Sequence, residues 1–201
     1  MKRYLLFVML AALPVSAQWR KFGSEPLHAT GFAGGGFSSP VNPAGARLDT
    51  GWNVAGGVGV TNNYFGITLD GMFNDFGINS RALSREGARS GSEKYWAVTV
   101  NPVFHVNERG PVDFYITGGG GIYSQITRYN ASAGNFGSSR RELDWIGANH
   151  IYKPGVNLGA GFSFKFGGFS RMSIFAEARY HRMFVGPSDV SFVPVTVGVR
   201  F

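Results

Sequence analysis

Four histidines, His28, His105, His150 and His181, are the residues of this chain best suited to acid–base or metal chemistry. A hydrolytic zinc site needs ligands at a spacing such as His-Glu-x-x-His, and none of the four has it. Cysteine is absent, which removes thiolate zinc sites and any disulfide framework. His181 is followed by Ser188, Asp189 and Ser191, which supply the residue types of a Ser–His–Asp hydrolytic set. Two Gly clusters, Gly34-Gly35-Gly36 and Gly118 to Gly121, have the composition of a phosphate loop. Neither continues into Gly-Lys-Ser/Thr and both lie in extended segments, so they read as close backbone packing. Asn130-Ala131-Ser132 matches a glycosylation acceptor, a pattern common by chance.

The elements that would position these residues are strands. The chain has 201 residues, 30 of them Gly, with 15% aromatics, enough for one domain. Plentiful aromatic and β-branched residues argue against disorder despite the Gly content. Lys2 and Arg3 precede an apolar run from Leu5 to Val15, and Val15-Ser16-Ala17 ends it with small residues. This is the pattern of a signal peptide over residues 1–17, followed by a polar leader over 18–27 and a barrel domain over 28–201. The formal charge of +7 loses Lys2 and Arg3 on cleavage, and the remainder is too dispersed to suggest nucleic acid. No segment is long and apolar enough for a membrane helix. A β-barrel, by contrast, crosses with strands that are only half apolar.

From His28 onward, segments of roughly ten to fourteen residues alternate apolar with small or polar, with turn residues between them. From Val190 to Phe201 one face carries Val193, Val195, Val197, Val199 and Phe201. The other carries Phe192, Pro194, Thr196, Gly198 and Arg200, as period-2 geometry requires. Met172–Val185, Gly155–Phe166, Val112–Thr127, Lys94–Val106 and Tyr64–Phe76 repeat the pattern. Trp52, Val54, Val58 and Val60 mark another strand, and Ala29 to Phe37 a Gly-rich first one. The expected fold is all-β: an antiparallel up-and-down transmembrane barrel of about eight strands. Turns at Asn62-Asn63, Asn107–Gly110 and Gly167–Arg171 are short. The connections Ser39–Asp49, Gly77–Glu93 and Arg128–His150 are long, while Gly186–Asp189 is the short exception among them. A soluble lipocalin-like barrel is the rival, with its apolar face turned inward around a ligand. Aromatic placement favours the membrane: Trp52 and Trp96 near the long-loop rim and Phe65, Phe104, Phe114, Phe164 and Phe201 near the short-turn rim form two girdles.

The stretch Phe175-Ala176-Glu177-Ala178-Arg179-Tyr180-His181, with the terminal Phe192 to Phe201, resembles the outer-membrane β-barrel domain family that includes OmpA- and OmpX-like barrels. The resemblance covers the mature chain in rhythm and mainly its last thirty or so residues in detail. It implies a Gram-negative outer-membrane protein whose partners are membrane lipids and lipopolysaccharide. It also implies that Val195, Val197, Val199 and Phe201 form the signal for the barrel-assembly machinery. The family pattern often has Tyr two residues before the end, where this chain has Val199. No peptidoglycan-binding domain is expected after Phe201. Small barrels also include lipid A deacylases and palmitoyltransferases, but the deacylase His-x-Ser spacing is missing, since Met183 stands in that place.

The long loops are expected to carry Arg81, Arg85, Arg89, Arg128, Arg140 and Arg141 among Glu86, Glu93, Glu142 and Asp144. These read as contacts to lipopolysaccharide phosphates or to a surface ligand, or as plain solvated loops. Inside the barrel, Asp70 and Arg179 fall at similar depth on the third and seventh strands, with Glu177 one step below Arg179. Gly198 and Gly159 or Gly161 are its expected neighbours. Asp113 is expected to meet Lys165 or Arg200. Such pairing would close a narrow lumen without a cofactor, metal or catalytic residue, leaving a non-enzymatic envelope or surface-presenting protein. A narrow pore and a lipid A-modifying enzyme are the alternatives.

The terminal residue gives the first test. Deleting Phe201 should leave the chain in the periplasm to be degraded, read as loss of the heat-modifiable, membrane-inserted species. Normal amounts of that species would contradict the assembly role.

Overall fold

The structure, a computed structural model, describes residues 26–41, 44–86, 88–106, 110–131, 149–165, 172–186 and 189–201. The expected signal peptide and most of the leader lie outside these residues. So do Ser188, Arg140, Arg141, Glu142 and Asp144. Eight strands follow in order: β1 His28–Val41, β2 Gly51–Thr61, β3 Phe65–Gly77, β4 Ala88–His105, β5 Val112–Ala131, β6 Asn149–Lys165, β7 Ser173–Met183 and β8 Val190–Arg200. Each pairs antiparallel with the next, and β8 pairs with β1, so the sheet closes into a barrel. The expected architecture is therefore the observed one.

Alternation sorts the side chains. Trp52, Val58, Leu69, Val98, Ile122, Leu158 and Val197 lie outside and are half-exposed or more, while Thr68, Asn101, Tyr123, Asn157 and Thr196 lie inside and are buried. An outer surface this apolar suits hydrocarbon, and pairing every strand edge satisfies the backbone where no water can. Trp52, Phe73 and Trp96 form a ring ladder near the long-loop rim, with centroids 5.2 and 4.6 Å apart. At the short-turn rim Phe65 packs on Phe104 and Phe114 on Phe162. Phe164 and Phe201 are exposed at the same end. These rings cluster at the two ends of the strands, where the two girdles are expected.

Local chemistry makes the turns. Asn62 Oδ1 accepts from the amides of Tyr64 and Phe65, both at 2.9 Å, closing the short β2–β3 turn. Asn79 caps the helix α1, Ser80–Glu86, by accepting from the Ala82 amide at 2.9 Å. A 3-10 turn at Ala44–Ala46 brings Ala44 and Leu48 into buried positions, and Leu48 bridges to Ile78 in the next connection. Gly186, in the β7–β8 connection, has φ of +124°, a conformation L side chains rarely adopt.

The strands are longer than their sequence pattern at the long-loop side. β1 continues to Val41, β4 starts at Ala88 rather than Lys94, β5 runs on to Ala131, and β6 starts at Asn149 rather than Gly155. The residues expected in loops are thereby moved. Arg89 and Arg128 belong to strands, Arg81, Arg85 and Glu86 to α1, and Glu93 lies inside the barrel with 0% exposure. Polar residues on both faces hid these extensions, because above the hydrocarbon band a strand no longer needs an apolar outer face.

The inside/outside assignment is testable on β8. Cysteine at Val197 should label with a lipid-soluble probe, and cysteine at Thr196 should not. Val197→Arg should cost about 2–4 kcal/mol, as for lipid-facing sites at mid-depth. Stronger labelling at Thr196 than at Val197 would reverse the faces.

Candidate functional site

Among the described residues, chemistry-bearing side chains converge in the barrel interior, which is layered. At the centre Arg179 reaches from β7 across the lumen to β3, placing Nη1 2.8 Å from Asp70 Oδ2. The same guanidinium holds Glu177, its neighbour two residues away, with Nε and Nη2 2.8 and 2.7 Å from Oε1. All three are buried: Asp70 is 4%, Arg179 5% and Glu177 8% exposed. Burial of one isolated charge would cost several kcal/mol, so the two carboxylates and the fork-shaped guanidinium explain one another.

Glycine on the neighbouring strands makes the reach possible. Gly57 stands opposite Asp70, and a Cβ there would lie 2.5 Å from Asp70 Oδ1. Gly159 stands opposite Arg179, and a Cβ there would lie 2.8 Å from Arg179 Cβ. Glu177 is flanked by Gly161 on one side and by Thr196 on the other. The expected neighbour Gly198 instead faces Phe175, because the β7–β8 register places Glu177 opposite Thr196, two residues earlier on β8.

Neutral amides extend the network. Asn101 donates to Asp70 Oδ2 at 2.7 Å and accepts from Asn157 at 2.8 Å, linking β3, β4 and β6. Asn53 accepts from Thr196 at 2.9 Å and donates to the Phe37 carbonyl at 2.8 Å, while Ser38 donates to Asn74 at 2.6 Å. Sequence reasoning concentrated on charges and left these amides out. Their signal was present, since Asn53, Asn74, Asn101 and Asn157 all occupy inward positions of their strands.

Toward the long-loop rim the lumen is aromatic, not polar as its composition suggested. Phe76, Tyr95 and Phe192 pack with ring centroids 5.5 to 5.7 Å apart, with Met183 and Tyr123 buried beside them. His181 stacks on Phe192 at 5.3 Å, and its Nδ1 is 2.8 Å from the Tyr123 hydroxyl. Above this layer Glu93 receives Arg47 at 2.7 Å and Gln125 at 2.6 Å, and also the Tyr95 hydroxyl. Arg47 belongs to the first long connection, so this ion pair ties that connection into the barrel mouth.

The expected pairing of Asp113 does not form. Asp113 is engaged by His105, whose Nδ1 is 2.6 Å from Oδ2, rather than by Lys165 or Arg200. Arg200 lies over the ring of Tyr115, 4.4 Å from its centroid, because its strand position directs it at the aromatic residues of β5 and β7. Among the described residues, which do not include Ser188, a Ser–His–Asp set is not assembled either. His181 points inward, whereas Asp189 pairs with the exposed Arg182 at 2.7 Å and Ser191 is bonded to Tyr180. His105 does form an Asp113–His105–Thr61 chain, with Nε2 3.2 Å from Thr61 Oγ1. Two backbone carbonyls, of Asn62 and Phe65, compete for the same hydroxyl proton, so Thr61 lacks the committed bond to a base that nucleophilic activation needs. Among the described residues no cluster of His, Asp and Glu is arranged to hold a metal ion.

A cavity of about 340 Å³ opens at the short-turn rim beneath the central ion network. His105, Asp113, Lys165, Glu177, Arg179 and Arg200 are among the residues that line it.

No family model and no curated protein matches the chain in sequence. Among solved structures, the Neisserial surface protein A is similar at a TM-score of 0.61 and 13% identity, over 88% of this chain and 98% of that one. Ail of Yersinia pestis, solved with the heparin analogue sucrose octasulfate, is similar at 0.47 and 19%, over 87% and 99%. The N-terminal barrel domain of Pseudomonas aeruginosa OprF is similar at 0.45 and 12%, over 86% and 97%. The chain has the fold of the small eight-stranded outer-membrane β-barrels.

The ion network predicts a large penalty for losing its centre. Arg179→Ala leaves two buried carboxylates without their counter-charge and should destabilise the barrel by about 3–5 kcal/mol in urea unfolding from micelles. Unchanged unfolding would mean that the charges are independently solvated.

Proposed function

We propose that the protein is a non-enzymatic integral outer-membrane protein whose lumen is closed by its own side chains, and that it stabilises the envelope or presents its long connections at the surface. The observation that carries this reading is Arg179, which crosses the lumen to Asp70 while holding Glu177. Eight strands leave an interior only wide enough for side chains, and here an aromatic layer and an ion network both occupy it. A transported solute would have to break buried charge pairs and separate Phe76, Tyr95 and Phe192.

In this reading the chain is exported by its signal peptide over residues 1–17. The barrel-assembly machinery recognises Val195, Val197, Val199 and Phe201. Outer-membrane lipids cover the apolar belt, and lipopolysaccharide meets the long-loop rim. There Lys94, paired with Asp75, sits on the outer face over Phe73, and Arg182, paired with Asp189, sits over Phe184. A surface ligand would bind through the long connections.

A narrow pore is the second reading, favoured by the cavity that reaches from the short-turn rim up to Arg179. Planar-bilayer recording separates the two. The wild type should show almost no steady conductance, and Asp70→Ala/Arg179→Ala should conduct more than wild type if it remains folded. A stable wild-type channel would favour the pore and end the closed-lumen reading.

A further inference from the structure

The cavity at the short-turn mouth is lined by Lys165 and Arg200 and also by Asp113 and Glu177. In the barrel register Lys165 on β6 stands opposite Ser173 on β7, and Ser173 stands opposite Arg200 on β8. These three residues form one row across three adjacent strands, and all three line the cavity.

The state of Arg200 is the informative detail. Its guanidinium carbon lies 4.4 Å from the Tyr115 ring centroid, 5.4 Å from that of Phe175 and 6.0 Å from that of Phe32. Ring faces hold a guanidinium through its π surface and leave the in-plane N–H edge unspent. Neither nearby carboxylate uses that edge: Asp113 is taken by His105 and Glu177 by Arg179. Next to it, the buried Ser173 contributes a hydroxyl. An aromatic-backed guanidinium with a free fork is matched by the two oxygens of a carboxylate or phosphate. The volume, about 340 Å³, is at the lower end of ordinary ligand pockets.

We propose that Arg200 and Ser173 form an oxyanion-binding pair at the short-turn mouth of the barrel, which takes a small solute or a lipid headgroup carrying a phosphate or carboxylate group. Arg200 supplies the bidentate contact and Ser173 a hydroxyl donor. The negative charge left over on Asp70, Arg179 and Glu177 lies deeper, and keeps the anion at the rim instead of drawing it through the lumen. The site does not require the lumen to be closed, so it stands apart from the preceding reading.

The test is a titration of isotopically labelled, full-length folded protein in uncharged maltoside micelles, followed by NMR. Inorganic phosphate, at constant ionic strength, should produce saturable shifts at the Arg200 side-chain N–H and the Ser173 amide, with the residues of the aromatic layer unmoved. Arg200→Lys keeps the charge and removes the fork, and should weaken binding by about tenfold, the value of one charge-assisted hydrogen bond. Ser173→Ala should weaken it less and provides a second reading if the β8 variant folds poorly. In a parallel arm the micelles are doped with phosphatidylglycerol. The same shifts there before phosphate is added would identify a lipid headgroup as the occupant, and shifts only with phosphate would identify a solute. Absence of saturable rim shifts in both arms, or unchanged affinity in Arg200→Lys and Ser173→Ala alike, would overturn the proposal.

Discussion

Closure of the sheet is the constraint on which everything else here depends. A strand edge cannot be left open in hydrocarbon, so the last strand must find the first. It does so down to its final residue: the Phe201 amide and carbonyl pair with Gly31 at 2.9 and 2.8 Å, and Thr30 adds a bond to the same carbonyl. Gly31 leaves room for the terminal ring, since a Cβ there would lie 2.8 Å from Phe201 Cε2. Once eight strands close, alternation leaves only two environments. The outer one must be apolar, and the inner one is narrow enough for side chains to fill most of it.

That confinement explains the layering. Charges inside a narrow, poorly hydrated lumen must pair, and amides must find partners. The centre answers with Asp70, Arg179 and Glu177 and with the Asn101–Asn157 link. The long-loop half answers with apolar packing around Phe76, Tyr95 and Phe192, over which Arg47 locks the first connection to Glu93. The short-turn half keeps a cavity, and its aromatic residues, with Phe32 edge-on to Phe175, carry a guanidinium. The two ends of the barrel are thus chemically different.

Much of this was legible in the sequence, for a physical reason. Period-2 alternation is forced by the strand itself, so the faces of β2 to β8 could be assigned without coordinates. Asp70 and Arg179 could be placed at one depth by counting from the turns. What counting could not supply was lateral register, because a shift of two residues keeps every side chain on its face. Glu177 therefore faces Thr196 rather than Gly198, and Asp113 meets His105 rather than Lys165 or Arg200. The strand extensions that bury Glu93 escaped for a different reason: alternation fades where the outer face meets water. The aromatic layer was written on the polar face of the pattern in Tyr95, Tyr123 and Phe192, but a polar lumen was the simpler reading of the average composition.

The central claim is that Arg179 and Asp70 act as one unit across the lumen, and a double-mutant cycle reads that directly. Unfolding free energies of wild type, Asp70→Asn, Arg179→Gln and the double variant give a coupling energy free of each residue's separate packing. The account predicts coupling of about 1.5–3 kcal/mol, with the double variant markedly more stable than the two single losses would imply. Additivity to within about 0.5 kcal/mol would show two charges that merely lie near each other, and would contradict the account.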